Sequence, residues 1–313
     1  MSVARPKIRM YSAQDKPGLR LLLQKVWASS ESEWESHLPK PDSVTFLAHH
    51  DQRLVAMVTR FERTFHPHTT TLEFGIDPET DTNLRRLLEE ILFDQIVQEM
   101  PKDRISRTQL LETQTQEIEF VQRKRFLEMR RTWMPNVSVS SLPVIFFEDD
   151  LRLALERGFS IHGLNEFQDD PEFMLRLAEA NRDHYLSTHS INPPLTVNLS
   201  EWYDLAFAED WLPEASFVAL QRDQIVAFSS LYRSTDAALD VAWFGTLPEF
   251  RADSLMLNRA LKAKELEYAR THKITSLCFE FDSTDPQSMA LLETLPIDPG
   301  LAWITFQTGL PEA

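Results

Sequence analysis

At 313 residues, with 42% apolar and 26% charged side chains, the chain reads as a globular protein long enough for two cores, which excludes a disordered or fibrous class. Forty-eight acidic against 32 basic residues leave a net charge of −16, which opposes general attraction to nucleic acid or anionic membranes and favours a basic substrate. A single cysteine, Cys278, excludes an internal disulfide, no basic-then-apolar leader opens the chain, and no apolar run approaches the ~20 residues of a membrane span, so a cytoplasmic location is expected.

In chain order, Lys7–Tyr11 reads as a short strand. Leu19, Leu22, Leu23, Val26 and Trp27 then fall on one side of an amphipathic segment within residues 12–38, with Trp34 and Leu38 continuing it or covering a cleft mouth. Phe46–Val58 predicts two strands around a polar turn carrying His49 and His50. His66 and His68 flank Pro67. None of these histidines has the spacing or the partners of a ligand set, so no metal site is expected. Leu72–Gln95 predicts strand, tight connection and helix, with Glu73 on the strand where it can face a cleft. Residues 99–108 read as a polar connection, Phe120–Phe126 as a short helix and Met134–Phe147 as extended chain. A helix from about Asp149 leads onward, and the domains are expected at 1–142 and 143–313.

In the second half, Phe159–Leu164 is a strand and Pro171–Tyr185 a helix. Asp183, His184, Tyr185 and His189 are polar groups able to line an acceptor pocket. Trp202, Tyr203, Phe207 and Trp211 recur at near-helical spacing, as a core stripe does. Phe217–Ser229 is a second strand pair. Next, Val241, Trp243 and Phe244 have the bias of a buried strand, which Pro248 ends because it has no N–H to give a ladder. Leu257, Ala260, Leu261, Leu266 and Ala269 continue as a helix. Such strand–loop–helix units hold phosphate in many α/β enzymes, because free helix N-terminal amides point at the anion. Here the loop Arg251-Ala252-Asp253-Ser254-Leu255-Met256 brings an arginine but no glycine, and Asp253 is expected to repel a pyrophosphate.

The two halves repeat each other. The pattern F-G-x-x-P-E occurs at Phe74–Glu79 and again at Phe244–Glu249, an offset of 170, while Trp133 and Trp303 share that offset and the Asp-Gln pairs at 51 and 223 come within two residues of it. Three landmarks in one order argue for an internal duplication. The order of elements resembles the GNAT N-acetyltransferase superfamily in its tandem, two-domain form. "FGTLPEFR" resembles that family's central strand running into its acetyl-CoA loop, and "FDSTDPQSMALLETL…AWITF" its closing strand–helix–strand. The resemblance implies a mixed α/β fold in each copy, acetyl-CoA as acyl donor and a small-molecule amine as acceptor. Carried over to the second copy, it implies backbone at Phe244, Gly245 and Thr246 for the pantetheine arm and Arg251 and Ser254 near the phosphates. Asp240, Glu280 and Asp282 are then the candidate catalytic carboxylates. The family's usual tyrosine position falls on Leu292, and its Gly-Phe pair becomes Pro296-Ile297. The alternative is a non-catalytic protein whose clefts bind a small ligand or a protein partner. Oligomeric state and the identity of the acceptor stay open.

Overall fold

The computed structural model describes residues 5–27, 35–63, 65–101, 103–143, 145–194 and 198–308; Trp34 lies outside them. The chain forms two compact units. The first comprises residues 1–110, 114–129 and 305–313, and the second residues 111–113 and 130–304.

The first unit opens with strand β1 (Lys7–Met10), helix α1 (Lys16–Val26) and the hairpin β2 (Val44–His50)–β3 (Arg53–Glu62). Central strand β4 (Thr69–Ile76) runs into helix α2 (Thr82–Val97), followed by β5 (Ile105–Leu111), α3 (Thr115–Arg123) and β6 (Leu127–Trp133). Strands β1 to β5 lie side by side in sequence order. His49 and His50 close β2 rather than forming the turn; Asp51 and Gln52 make it, at φ of 48° and 63°. Residues 105–108, read above as connection, are strand, because β5 pairs parallel with the start of β4 and buries Arg107 and Thr108. Leu19, Leu22 and Leu23 of α1 pack on Leu47 and Met57, so the expected amphipathic face does cover the sheet.

In the second unit, β7 (Asn136–Ser138), α4 (Ile145–Glu156), β8 (Ser160–Gly163), α5 (Pro171–Thr188) and α6 (Leu199–Ala206) precede the hairpin β9 (Phe217–Gln221)–β10 (Gln224–Thr235). Central strand β11 (Ala238–Thr246) leads to α7 (Ser254–Thr271), then β12 (Ser276–Phe279), β13 (Phe281–Asp282), α8 (Pro286–Thr294) and β14 (Ala302–Gln307). The sheet order is β7-β12-β11-β10-β9-β8. The hairpin turn is Arg222-Asp223, at φ of 50° and 67°, so both copies build the same two-residue left-handed turn without glycine. Trp202 is fully buried and Tyr203, Phe207 and Trp211 pack around the α5 core, as the stripe predicted.

Phe74 and Phe244 occupy the matching strand in each unit, and the duplication extends to how those strands diverge. The parallel ladder β4–β5 covers only Thr69–Thr71, and β11–β12 only Ala238–Val241; beyond those points each central strand parts from its neighbour. The closing strands are distributed unexpectedly. Thr305–Gln307 of β14 belong to the first unit, where β14 lies next to β5, while Thr132 and Trp133 of β6 pair with β13 in the second. Among the described residues no helix is long and apolar enough to cross a membrane.

Candidate functional site

The second unit carries a cleft beside its central strand. Its axis is the end of β11, where the register against β10 skips Ala242 and the strand leaves β12. Leu247 N–H bonds back to Val226 on β10, so by alternation the N–H and C=O of Thr246 and of Phe244 turn toward the gap. At Thr246 both groups are already engaged: its N–H donates to Gln287 Oε1 at 2.8 Å, and Gln287 Nε2 donates to its C=O at 2.9 Å. One carboxamide, from the first turn of α8, thus pairs with the strand edge as a neighbouring strand would.

Gly245 allows a second close approach. An added Cβ would lie 2.5 Å from the His184 ring, which sits edge-on to Phe228 and 3.7 Å from Asp285 Oδ2. Asp285 also caps α8 by accepting from Gln287 N–H at 2.9 Å. A cavity of about 600 Å³ extends from here, with Thr246, His184 and Gln287 at one end and Arg251, Arg222 and Glu249 in its wall. Among the described residues Arg222 and Arg251 have no ion-pair partner, and Arg182 takes up both Glu179 (3.5 Å) and Asp183 (2.9 Å) at the rim.

The loop into α7 differs from expectation in one respect. Asp253 does not stand as a free charge beside the phosphate position, since Arg157 at the end of α4 pairs with it at 2.5 Å. That partner offsets part of the charge expected to repel a phosphate. The restriction is one of backbone: residues 248–253 make two short 3-10 turns joined by a kink at Phe250, whose N–H donates to Leu247 C=O, while Ser254 N–H donates to Arg251 C=O. Those two amides are spent internally, while no side chain caps α7. In the first unit Asp81 caps α2 directly, accepting from the Asn83 and Leu84 N–H groups, so the matching amides are taken by the chain itself.

The three candidate carboxylates do not converge on the cavity. Asp240 lies in the closed part of the β11–β12 ladder opposite Cys278, whose thiol is pushed up to about 11 by burial first and by Asp240 second. Glu280 is exposed between β12 and β13. Asp282 is buried and accepts from Arg130 Nη1 at 2.7 Å and Thr132 Oγ1 at 2.5 Å, with His189 Nε2 at 3.8 Å. His189 stacks on Tyr185, which meets Trp202 and Trp243. Leu292 is buried in the core beneath the site. Under Phe244, Lys262 and Glu265 form a fully buried pair, Nζ to both carboxylate oxygens at 2.7 and 2.9 Å and to Ser229 Oγ at 2.8 Å. Burial pulls the lysine down and pushes the glutamate up. In the first unit Trp27 occupies the place of His184, its ring 3.2 Å from the Cβ position of Gly75; it stacks on His37, which reaches Glu73 at 3.2 Å.

Gln287, Asp285, Arg157 and Arg222 escaped the sequence reading. Only Asp285-Pro286 carried a signal, as a helix N-cap followed by proline at the first helical position.

With the diverging central strand, the loop and the following helix in place, the class is that of the acyl-CoA N-acyltransferase fold. No protein-family model matches the sequence, and no curated protein matches it. Solved structures do. A GCN5-related N-acetyltransferase from Sphaerobacter thermophilus superposes with a TM-score of 0.65 at 11% identity, over 100% of this chain and 98% of that one. A tandem GNAT protein from the clavulanic acid biosynthesis pathway gives 0.56 at 10% identity, over 98% and 99%. The chain has the tandem GNAT fold.

Proposed function

We propose that the protein is a GNAT-type N-acyltransferase whose second unit takes an acetyl group from acetyl-CoA and delivers it to the amine of a small molecule. One observation carries this reading: the β11 edge at Thr246 presents a donor and an acceptor to a gap and binds an amide there. The amides of a pantetheine arm offer the same complementary pair. The residues that would hold the donor are the backbone of Phe244, Gly245 and Thr246, then Arg251 with Arg222, beside the first turn of α7 near Ser254. Bound there, acetyl-CoA would supply the acyl group already activated as a thioester.

The remaining chemistry belongs to the chain. Acyl transfer needs a neutral amine, a polarised carbonyl and a proton for the departing thiolate. Phe244 N–H faces the gap and is placed to polarise a carbonyl. His184, steadied by Asp285 and lining the cavity, is the group suited to move a proton; Asp240, Glu280 and Asp282 stay as candidates of second rank, since none lines the cavity. A net charge of −16 favours a basic acceptor. The first unit, whose α2 is closed by Asp81, is assigned a non-catalytic part, and the lone cysteine suits a cytoplasmic setting.

The test is calorimetry of acetyl-CoA against the full chain, with release of free thiol followed in the presence of a panel of small amines. Binding that Arg251→Ala weakens, with amine-dependent thiol release, supports the reading. A second reading, a non-catalytic ligand or partner binder, is favoured by the 3-10 turns that spend loop amides. Absence of acetyl-CoA binding would decide for it.

A further inference from the structure

The Gln287 carboxamide does more than fill space. It makes two hydrogen bonds, at 2.8 and 2.9 Å, with one residue of the central strand, and it does so from a helix whose cap does not depend on it, because Asp285 accepts from the Gln287 backbone N–H. The side chain is therefore free to leave without unwinding α8. At the start of α3 in the first copy, Glu117 pairs with Arg85 of α2 at 2.8 Å.

The pocket around Gln287 is also under-satisfied. Thr246 Oγ1, Asn258 Oδ1 and Ser288 Oγ are all buried and, among the described residues, have no hydrogen-bond partner, while the Asn258 Nδ2 contact to Gln287 Oε1 is long at 3.5 Å. Buried polar atoms are almost always paired, and leaving them unpaired is costly. Three such atoms beside a half-buried, movable amide describe a polar site with spare capacity.

We propose that Gln287 is a specificity-determining latch: its carboxamide holds the strand edge until an extended chain bearing a secondary amide exchanges for it, and the freed pocket then pairs with that chain. The inference rests on the donor-site reading above. It selects the pantetheine arm of a CoA thioester over compact acyl donors such as acetyl phosphate, which carry no amide to exchange.

The experiment compares wild type, Gln287→Ala and Gln287→Met, the last keeping side-chain length without the carboxamide. Acetyl-CoA and acetyl phosphate are titrated by calorimetry, and exchange of the Thr246 amide hydrogen is followed. Two competing hydrogen bonds removed should tighten acetyl-CoA binding by on the order of tenfold in both variants. The Thr246 amide should exchange faster in both free variants and regain protection when acetyl-CoA binds, and acetyl phosphate should do neither. Equal or weaker acetyl-CoA binding by the variants overturns the latch and leaves the donor site standing. Binding by none of the three proteins overturns the donor site and the latch with it. A fold lost in Gln287→Ala but kept in Gln287→Met leaves the methionine variant to decide.

Discussion

Gly245→Ala tests how tightly the cleft is built. The backbone there is not in the left-handed region, so alanine meets no conformational cost, and the whole effect comes from the new Cβ. It would lie 2.5 to 2.6 Å from three atoms of the His184 ring, well inside contact distance. The ring must leave, giving up its edge-on contact with Phe228 at 6.0 Å and its approach to Asp285. Overpacking costs about 1–3 kcal/mol and the lost aromatic pair about 0.5–1.5, so a loss of about 2–4 kcal/mol is expected. At about 2–4 °C per kcal/mol for a unit of this size, the midpoint should fall by roughly 5–15 °C. Five of the seven tryptophans lie in the second unit, so thermal unfolding followed by tryptophan fluorescence reads mainly that unit. The same substitution in a His184→Ala background should cost under about 1 kcal/mol, because the ring it strikes is gone. An equal loss in both backgrounds, or none in the wild type, would refute the contact.

The buried Lys262–Glu265 pair gives the sharpest stability test. Lys262→Met alone should cost about 3–5 kcal/mol in urea unfolding by stranding a carboxylate, and adding Glu265→Leu should recover most of it. Asp81→Ala should cost the first unit about 1 kcal/mol through its lost cap, whereas Asp253→Ala, which uncaps nothing, should cost less in the same assay. Burial and then Asp240 push the Cys278 thiol up to about 11, so iodoacetamide at pH 8 should modify it about a hundredfold more slowly than an ordinary thiol, and Asp240→Asn should speed the reaction.

Local pattern was legible where one face of an element is apolar. Val241 and Phe244 announced β11, Pro248 its end, and Leu257 to Ala269 the helix, although α7 starts three residues earlier, at Ser254. The repeated F-G-x-x-P-E was legible as a pattern but not as a cause. Each glycine is small because a ring arrives from an earlier helix, Trp27 from the end of α1 on Gly75 and His184 from α5 on Gly245, and neither ring is near it in sequence. Asp253 misled for the same reason: its charge was readable, and Arg157, 96 positions away, was not. Strand β5 was missed because its polar residues are satisfied at long range, Ser106 N–H by Thr308 Oγ1 across 202 positions. No carboxylate triad could be sorted from sequence, since Asp282 is distinguished only by Arg130 and Thr132 beside it.

The placement of β14 sets an order of events during synthesis. The first unit includes residues 305–307, and Thr308 N–H bonds to Ser106 C=O at 3.0 Å, so the flank of β5 stays unpaired until residues 305–308 have left the ribosome. The nascent first unit must wait with an open strand edge, the feature most prone to wrong pairing with other chains. A fragment ending at residue 142 inherits that edge permanently. Ligand studies on separated halves would thus measure a wounded sheet, and supplying residues 302–308 as a peptide is the direct way to heal it.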